Sequence, residues 1–243
     1  MQKYTLKEHL VEIKKSLLVI FAFFLAAFAL CYNFREEIFE LLLSPLINLS
    51  DKGGRKIIYT GLTEAFFSYI KLSIFSAFSI IIPIICYQIY SFIAPGLLVN
   101  EKKLVTLILS FSPILFYTGG FFVFYFVMPR AWEFFLSYEN SSINIPLVLE
   151  ARISEYLDLV IQFTFAFGMA FQLPVVMVIL GALGLVGSDS LRRKRRISIV
   201  IIFIVAAIFT PPDVISQIAL AIPLLLLYEV SIILCKLVEK KRS

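Results

Sequence analysis

The feature that most constrains this chain is a series of six apolar stretches, most of them about as long as a helix that crosses a membrane. A transmembrane helix needs about 20 mainly apolar residues. Hydrophobic residues make up 60% of the chain and charged residues only 16%, whereas soluble domains have about 45–50% and about 25%. We therefore predict an all-α integral membrane protein in which residues 1–243 form a single six-span domain. The predicted spans are residues 17–33, 66–92, 104–128, 157–183, 197–210 and 214–235.

The last two predicted spans form a hairpin of short helices. Only Pro211, Pro212 and Asp213 separate them, and prolines followed by an acid are typical of a tight exposed turn. At about 1.5 Å per residue, residues 197–210 cover roughly 21 Å of the roughly 30 Å hydrocarbon core. We therefore expect that the bilayer is thinned around this span, or that neighbouring helices shelter it.

The distribution of basic residues predicts the orientation of the chain in the membrane. The N-terminal segment, the loops after the second and fourth spans and the C-terminal tail hold 15 of the 22 Lys and Arg residues but only five acids. Basic residues concentrate on the cytoplasmic side of membrane proteins. We therefore predict that both termini are cytoplasmic, that residues 236–243 form a cytoplasmic tail, and that residues 34–65 and 129–156 form outward cap loops.

Both outward loops contain segments that suit a membrane surface. In residues 35–43, charged side chains alternate with apolar ones at helical spacing, which predicts an amphipathic helix at the outer surface. Pro129 opens a second segment that is rich in aromatic residues, including Trp132 and Tyr138, which are typical of an interfacial belt. Both segments are expected to anchor the bundle; the alternative is that they cap a cavity.

Among the polar residues within predicted spans, Gln172 and Glu229 are the main candidates for a function, because an unpaired polar group is costly there. Gln172 lies beside Pro174 in the fourth span, and the proline ring frees a helical carbonyl group because it has no N–H. Glu229 lies in the last span; protonation, or pairing inside the bundle, would make it structural. The residues predicted to form structural turns and kinks are Pro45, Pro83, Pro174, Pro211, Pro212 and Asp213.

Two further acids lie at the predicted cytoplasmic ends of spans. Glu101 precedes the third span, and the favourable interaction of an acid with a helix start would by itself explain it. Glu12 precedes the first span and could pair with Lys15 or Ser16 on one helix face. The residues alone leave both acids open between a structural and a functional role.

The sequence gives little support for catalysis. It has one histidine, His9, and no nucleophile elbow, metal-ligand spacing or Gly-rich phosphate loop. Cys31, Cys86 and Cys235 each lie in an apolar stretch and are predicted to be buried small hydrophobic residues. The basic clusters lie between apolar stretches, which argues against nucleic-acid binding. We expect no enzyme activity, metal or cofactor, so any transport would draw on a gradient or on partner proteins.

An ordered series of short motifs runs from about residue 5 to residue 235. The motifs are 9–15 (HLVEIKK), 44–46 (SPL), 63–67 (TEAFF), 87–97 (YQIYSFIAPGL), 100–103 (NEKK), 167–174 (FGMAFQLP), 191–195 (LRRKR), 210–217 (TPPDVISQ) and 221–223 (AIP), together with Lys71 and Glu229. In this series the chain resembles the TatC family, the receptor subunits of the twin-arginine protein translocase.

The resemblance implies both an architecture and a function. Members of this family are glove-shaped, concave bundles of six spans in the cytoplasmic (inner) membrane. They bind the paired-arginine signal peptides of folded cargo proteins. They work as oligomers with small single-span subunits of the TatA and TatB type, and transport depends on the proton-motive force.

The resemblance also implies a binding site. The acids that match Glu12 and Glu101 contact the two signal arginines, and carboxylates suit planar guanidinium groups in a bidentate geometry that lysine cannot reproduce. Nearby positive charges would hold these carboxylates ionised. The positive residues are Lys14, Lys102 and Lys103, and Phe92, Pro95 and Leu97 are expected to line the same cytoplasmic surface.

Two residues depart from the family pattern. Gln172 replaces a glutamate that is common in the fourth span, so an obligatory proton relay through this position is not expected. Lys14 replaces an arginine but keeps the positive charge. Gln172 and Glu229 are expected to contact a partner helix. The alternative hypothesis is a stand-alone secondary transporter or channel for a small solute; a membrane enzyme would lack an assembled catalytic set.

Overall fold

The computed structural model describes residues 6–48, 57–94, 99–139, 149–209 and 214–242, and most of these residues are helical. The helices are α1 (Leu6–Asn33), α2 (Arg35–Asn48), α3 (Glu64–Ile93), α4 (Val99–Phe122), α5 (Met128–Leu136), α6 (Ile153–Ala170), α7 (Leu173–Ala182), α8 (Ser188–Arg193), α9 (Arg195–Phe209) and α10 (Val214–Arg242), with a π-helical segment at Val123–Val127. Of the predicted residues, Pro95, Leu97, Pro211, Pro212 and Asp213 lie outside the described ranges.

Five helical stretches in the described part of the chain are long and apolar enough to cross a membrane. They are Val11–Asn33, Glu64–Ile93, Val105–Leu136, Ile153–Ala182 and Leu220–Lys240. The prediction of an all-α membrane protein is confirmed. The remaining predicted span corresponds to α9, which has 15 residues and is therefore about 22 Å long, so a total of six spans remains a proposal. The last predicted span, 214–235, was also expected to be short, but α10 has 29 residues because the helix continues into the charged C-terminal segment.

Neighbouring helices run in opposite directions along the first part of the bundle. Arg35, just after α1, lies 5.8 Å from the ring of Tyr69 in the first turns of α3. Because α1 packs along α3, the start of α1 lies at the level of the end of α3. Phe39 of α2 also packs edge-on against Tyr69, with 5.8 Å between ring centroids, so α2 lies beside the junction of α1 and α3.

Glycines allow α4 and α6 to approach closely. A Cβ atom on Gly119 would lie 2.8 Å from the carbonyl oxygen of Phe167, and one on Gly168 would lie 2.6 Å from the ring of Phe116. Helices in membranes commonly pack through such small residues, because the hydrophobic effect does not drive them together in lipid. The α4–α6 contact is therefore set by backbone proximity and forms part of the core of the bundle.

The fourth predicted span is not one continuous helix. Residues 157–183 were expected to be a single span, but α6 begins earlier, at Ile153, and the helix is interrupted at Phe171 and Gln172 before α7 begins. Pro174 lies in the first turn of α7, where its missing N–H costs nothing, whereas within a continuous helix it would remove a hydrogen bond. By contrast, Pro45 and Pro83 lie inside α2 and α3, which continue through them.

The third predicted span, 104–128, is also longer in the structure. The helix continues through the π-helical segment into α5, because Pro129 lies in the first turn of α5, where a proline is tolerated. Trp132 was expected in an interfacial belt, but it is buried and stacks on Tyr156 at 5.0 Å between ring centroids. The first part of the predicted cap loop is thus helical and belongs to the core.

The two loops that were predicted to face outward are joined to each other. Ile58 N donates to Ala151 O (3.1 Å) and Ile153 N donates to Ile58 O (2.9 Å). Glu64 accepts hydrogen bonds from Thr60 N at 2.8 Å and from the Ser154 hydroxyl at 2.6 Å. These contacts fix the starts of α3 and α6 side by side. The predicted amphipathic helix in the first loop is present as α2, which extends to Asn48.

Candidate functional site

One end of the bundle collects most of the basic residues. A hydrophobic cluster brings together Val105 near the start of α4, Ala182 at the end of α7 and Val238 near the end of α10, with Tyr90 near the end of α3 packed against it. The start of α1 lies at the same end. We call this the basic end; its described basic residues are Lys14, Lys15, Lys102, Lys103, Arg192, Arg193, Lys194, Arg195, Arg196, Lys236 and Lys240.

Glu12 lies on α1 at the basic end and is partly exposed. Among the described side chains it has no ion-pair or hydrogen-bond partner, so the predicted structural pairing with Lys15 or Ser16 is absent. Since a carboxylate at the surface is free to accept hydrogen bonds from a cation, Glu12 is available to bind a ligand.

An apolar depression lies on α1 just after Glu12 in the sequence. It has a volume of about 500 Å³ and is lined by Ile13, Lys14, Leu17, Leu18 and Phe21. These residues follow Glu12 directly along the helix. At about 100° per residue, Glu12 lies on the other side of α1 from the centre of this depression, so the depression is a separate feature of the basic end. Sequence reasoning treated Leu17, Leu18 and Phe21 only as part of a membrane span.

The other predicted binding residues lie at the start of α4 and the end of α3. Lys102 and Lys103 are exposed, and Phe92 is 40% exposed near the end of α3. Glu101 belongs to the first turns of α4, but its side chain is not among those described. Because α3 packs against both α1 and α4, the fold brings these residues and Glu12 to the same end of the bundle.

A cleft of about 390 Å³ separates α3 from α4 at this end. Pro83 and Pro113 lie on its opposite sides, and the hydroxyl groups of Tyr90 and Thr106 are 2.9 Å apart on its wall. Proline removes a helical hydrogen bond and tends to kink the helix, so the two prolines favour a gap here. The remaining lining residues are Cys86, Tyr87, Leu109 and Ser110.

Gln172 forms a two-point contact with Ser112 of α4. The Ser112 hydroxyl donates to Gln172 Oε1 at 2.5 Å, and Gln172 Nε2 donates to the Ser112 carbonyl oxygen at 2.8 Å. Cys86 Sγ lies 3.2 Å from the Ser112 hydroxyl. The Gln172 side chain therefore connects the interruption between α6 and α7 to α4. Ser112 was not identified from the sequence, where a serine in an apolar stretch carries little signal.

Glu229 is paired within the bundle. Arg195 Nη2, at the start of α9, lies 2.6 Å from Glu229 Oε2 of α10. This contact and the hydrogen bond from Gln217 Nε2 to Phe203 O (3.2 Å) show that α9 and α10 are antiparallel. Glu229 therefore has the structural role considered for it above, because the ion pair joins the two helices of the hairpin.

A second ion pair joins two spans near the opposite end. Lys71 Nζ of α3 lies 2.6 Å and 2.9 Å from the two carboxylate oxygens of Asp158 in α6, and both side chains are more than half exposed. Lys71 appeared in the sequence only as part of a motif, and Asp158 was not singled out. The position of Asp158 inside a predicted span is the sequence feature that could have identified it.

The cysteines behave largely as predicted. Cys31 and Cys235 are buried and none of the three forms a disulfide. Cys235 fills the space beside Gly181, where a Cβ atom would lie 2.5 Å from its sulfur. In the part of the chain that the structure describes, no group of three His, Cys, Asp or Glu residues is arranged to hold a metal ion.

The sequence matches one family model and is similar to several curated proteins. The model of TatC, described as Sec-independent protein translocase protein (TatC), matches residues 8–223. The Sec-independent protein translocase protein TatC of Rickettsia prowazekii (strain Madrid E) is 58% identical over 243 residues, which covers 100% of this chain and 97% of that protein. The TatC of Magnetococcus marinus is 41% identical, and the match covers 100% of this chain and 88% of that protein.

The fold is similar to that of solved structures. A crystal structure of the twin arginine translocase receptor TatC aligns with a TM-score of 0.77 and 34% identity, covering 96% of this chain and 100% of the other. A crystal structure of this receptor in DDM aligns with a TM-score of 0.78 and 35% identity, covering 93% and 99%. The similarity thus extends over nearly the whole of both chains.

Proposed function

Because the chain belongs to the TatC family of Sec-independent protein translocase proteins, we propose that it is the receptor subunit of a twin-arginine protein translocase. In this role it recognises the paired arginines of signal peptides on folded proteins. The full-length similarity to structures of the twin arginine translocase receptor is the observation that carries this proposal. Such a subunit belongs to a protein-transport machine in the membrane.

The basic end is the proposed signal-peptide site. Glu12 is partly exposed and has no described partner, so it can bind a guanidinium group; Glu101, in the first turns of α4, is proposed to bind the second. Lys14, Lys102 and Lys103 would favour the ionised form of the two carboxylates. Phe92, Pro95 and Leu97 are proposed to line the same surface.

The partners and the energy source also follow from the family. We infer that small single-span subunits of the TatA and TatB type assemble with this chain, that the working complex contains several copies of it, and that the proton-motive force drives transport. Since one N–H of Gln172 is not used by Ser112, this amide can still bind a partner helix. Glu229 is proposed to act mainly by holding α9 against α10.

The proposed topology has six spans in the cytoplasmic membrane with both termini in the cytoplasm. The basic end would then face the cytoplasm, where signal peptides of newly made proteins are available. The asymmetric distribution of Lys and Arg supports this orientation. The short α9 and the long α10 would form the last hairpin.

A peptide titration tests the receptor function. The purified chain in mild detergent is titrated with a labelled signal peptide that carries Arg-Arg and with its Lys-Lys version. A lost charge-assisted hydrogen bond costs about 1.5–3 kcal/mol, so the Arg-Arg peptide should bind at least tenfold more tightly. Equal binding of both peptides, together with solute uptake by vesicles that contain only this chain, would instead support a stand-alone solute transporter.

A further inference from the structure

The segment that joins α7 to α9 forms a rigid basic ridge, defined here as Arg192, Arg193, Lys194 and Arg196. All four side chains are exposed, and none forms an ion pair with a described acid. Arg195, between them, is bound to Glu229. Four positive charges within five residues, without a described ion-pair partner, create a strong local attraction for anions.

Three contacts with α10 hold the ridge in place. At the start of α8, Ser188 N donates to Glu239 Oε1 at 2.6 Å, and the Ser188 hydroxyl donates to the other oxygen of the same carboxylate. At the end of α8, the buried Tyr228 hydroxyl donates to Leu191 O at 2.8 Å. The Arg195–Glu229 pair completes the set. The ridge is therefore built on a helix and does not depend on a free loop.

The ridge lies beside apolar helices and not beyond their ends. Glu229 precedes Glu239 by ten residues along α10, or about 15 Å. Over this length α10 packs on the apolar α7, where Cys235 lies next to Met177 and Gly181. The ridge backbone thus lies at the level of the part of α10 that packs on the apolar α7. Charged groups at such a level need water or an anionic partner.

An apolar stripe continues directly from the ridge along α9. Its residues are exposed and recur at helical spacing, from Ile197 through Val200, Ile201 and Ile204 to Ile208. From first to last the stripe rises about 16 Å, close to half of the roughly 30 Å hydrocarbon core. A cluster of positive charges followed by an apolar stripe one leaflet long matches a molecule with an anionic head and acyl chains.

We propose that the basic ridge binds the phosphate headgroup of an anionic phospholipid and that the α9 stripe carries its acyl chain. Arginine suits this ligand because its planar guanidinium group binds phosphate oxygens in a bidentate manner. A free phosphate or an acidic peptide would use the ridge but not the stripe. The bound lipid would supply the counter-charge that the described acids do not provide.

Lipid titration of the purified chain tests this site. The chain in a nonionic detergent is titrated with phosphatidylglycerol or phosphatidylcholine, and bound lipid is counted by native mass spectrometry. In the ridge variant, Arg192, Arg193, Lys194 and Arg196 are changed to Gln. Each basic residue near an anionic surface is worth about 1 kcal/mol, or about fivefold, so the affinity for phosphatidylglycerol should fall at least tenfold while that for phosphatidylcholine stays constant.

A control variant with the same change in net charge distinguishes the loss of the ridge from the loss of positive charge alone. Lys236, Lys240, Lys241 and Arg242 of the C-terminal segment are changed to Gln, and phosphatidylglycerol affinity should remain within about threefold of the starting value. Equal losses in the two variants, or no loss in the ridge variant, would overturn the proposal. The ridge variant should keep the helical content and elution volume of the original chain, because its substituted side chains are exposed.

Soluble competitors identify the source of the phosphate. Glycerol phosphate and a polyglutamate peptide, each added at the lipid concentration, should leave phosphatidylglycerol bound, because neither has an acyl chain to contact the α9 stripe. Displacement by glycerol phosphate would show a site for phosphate alone. Displacement by polyglutamate would show a surface for an acidic protein. Either result would contradict the lipid assignment.

Discussion

At the scale of residues, polar groups within the spans occur in specific pairs that satisfy one another. The Gln172 amide is matched by the hydroxyl and carbonyl groups of Ser112, and Lys71 is matched by Asp158. An unpaired polar group in lipid is costly, so each pair allows a polar residue in a span and also joins two helices. The sequence does not show which residues form these pairs.

The Ser112–Gln172 contact is predicted to stabilise the protein. Changing Ser112 to Ala removes the hydroxyl donor, and changing Gln172 to Ala removes the amide. A double-mutant cycle on thermal unfolding in detergent should give a coupling free energy of about 1 kcal/mol, near that of an ordinary hydrogen bond. Strictly additive effects would mean that the amide does not hold the helix interruption to α4.

The Lys71–Asp158 pair makes a different prediction, because each partner is charged. Changing Asp158 to Asn leaves Lys71 without its counter-charge, and changing Lys71 to Met leaves the carboxylate alone. The double variant should unfold at a higher temperature than at least one of the single variants. The effect should be modest, because both side chains are more than half exposed. A double variant less stable than both single variants would argue against the pair.

Sequence reasoning located the candidate site residues but not all of their neighbours. Glu12, Lys14, Lys102 and Lys103 were selected through their motifs, and the fold places them at one end of the bundle. The apolar depression at Leu17 and Phe21 could not be predicted, because an apolar residue in a span looks the same whether it faces lipid or a ligand. Ser112 was missed because the contact depends on how closely two distant helices approach.

At the scale of elements, the apolar stretches determine where helices form, but local chemistry determines where they break. A bilayer requires every backbone polar group to be satisfied within the helix, so long apolar stretches predict spans well. The interruption at Phe171 and Gln172 and the π-helical segment at Val123–Val127 depend on packing as well as on Pro174 and Pro129. The extension of the third helix to Leu136 was missed because Pro129 was interpreted as the start of a loop.

The α4–α6 contact offers a matched pair of substitutions. A Cβ atom on Gly119 would meet backbone atoms of Phe167 and Gly168 at 2.8–3.0 Å, whereas one on Gly120 would meet only the methyl group of Thr164 at 3.3 Å. Gly119→Ala should therefore destabilise the protein by about 1–3 kcal/mol. Gly120→Ala should be close to neutral, because the gain in helix propensity offsets the tight contact.

Thermal unfolding of both glycine variants in the same detergent provides the measurement. The unfolding temperature of Gly119→Ala should lie clearly below that of Gly120→Ala. If the order were reversed, α4 and α6 would not be in backbone contact in the membrane protein. The comparison is internal, since both variants add one methyl group to neighbouring positions of one helix.

At the scale of the whole molecule, the proposed orientation would place the basic end in the cytoplasm, where the proposed ligand is available. With Cys31, Cys86 and Cys235 first changed to Ala, a cysteine at Ser137 should react with a membrane-impermeant maleimide from the outside of intact cells. A cysteine at Ser243 should react only after the cells are opened. Reaction of both from the same side would exclude an arrangement with six spans and a cytoplasmic C-terminus.

The central claim is that the acids at the basic end recognise paired arginines. The most direct test is to measure the ratio of Lys-Lys to Arg-Arg peptide dissociation constants for the original chain, Glu12→Gln, Glu101→Gln and the matched control Asp189→Asn, which neutralises an exposed acid at the same end. We predict a ratio of at least ten for the original chain and the control, a smaller ratio for each single glutamate variant, and a ratio of about one when Glu12→Gln and Glu101→Gln are combined. An unchanged ratio in Glu12→Gln and Glu101→Gln would contradict the claim.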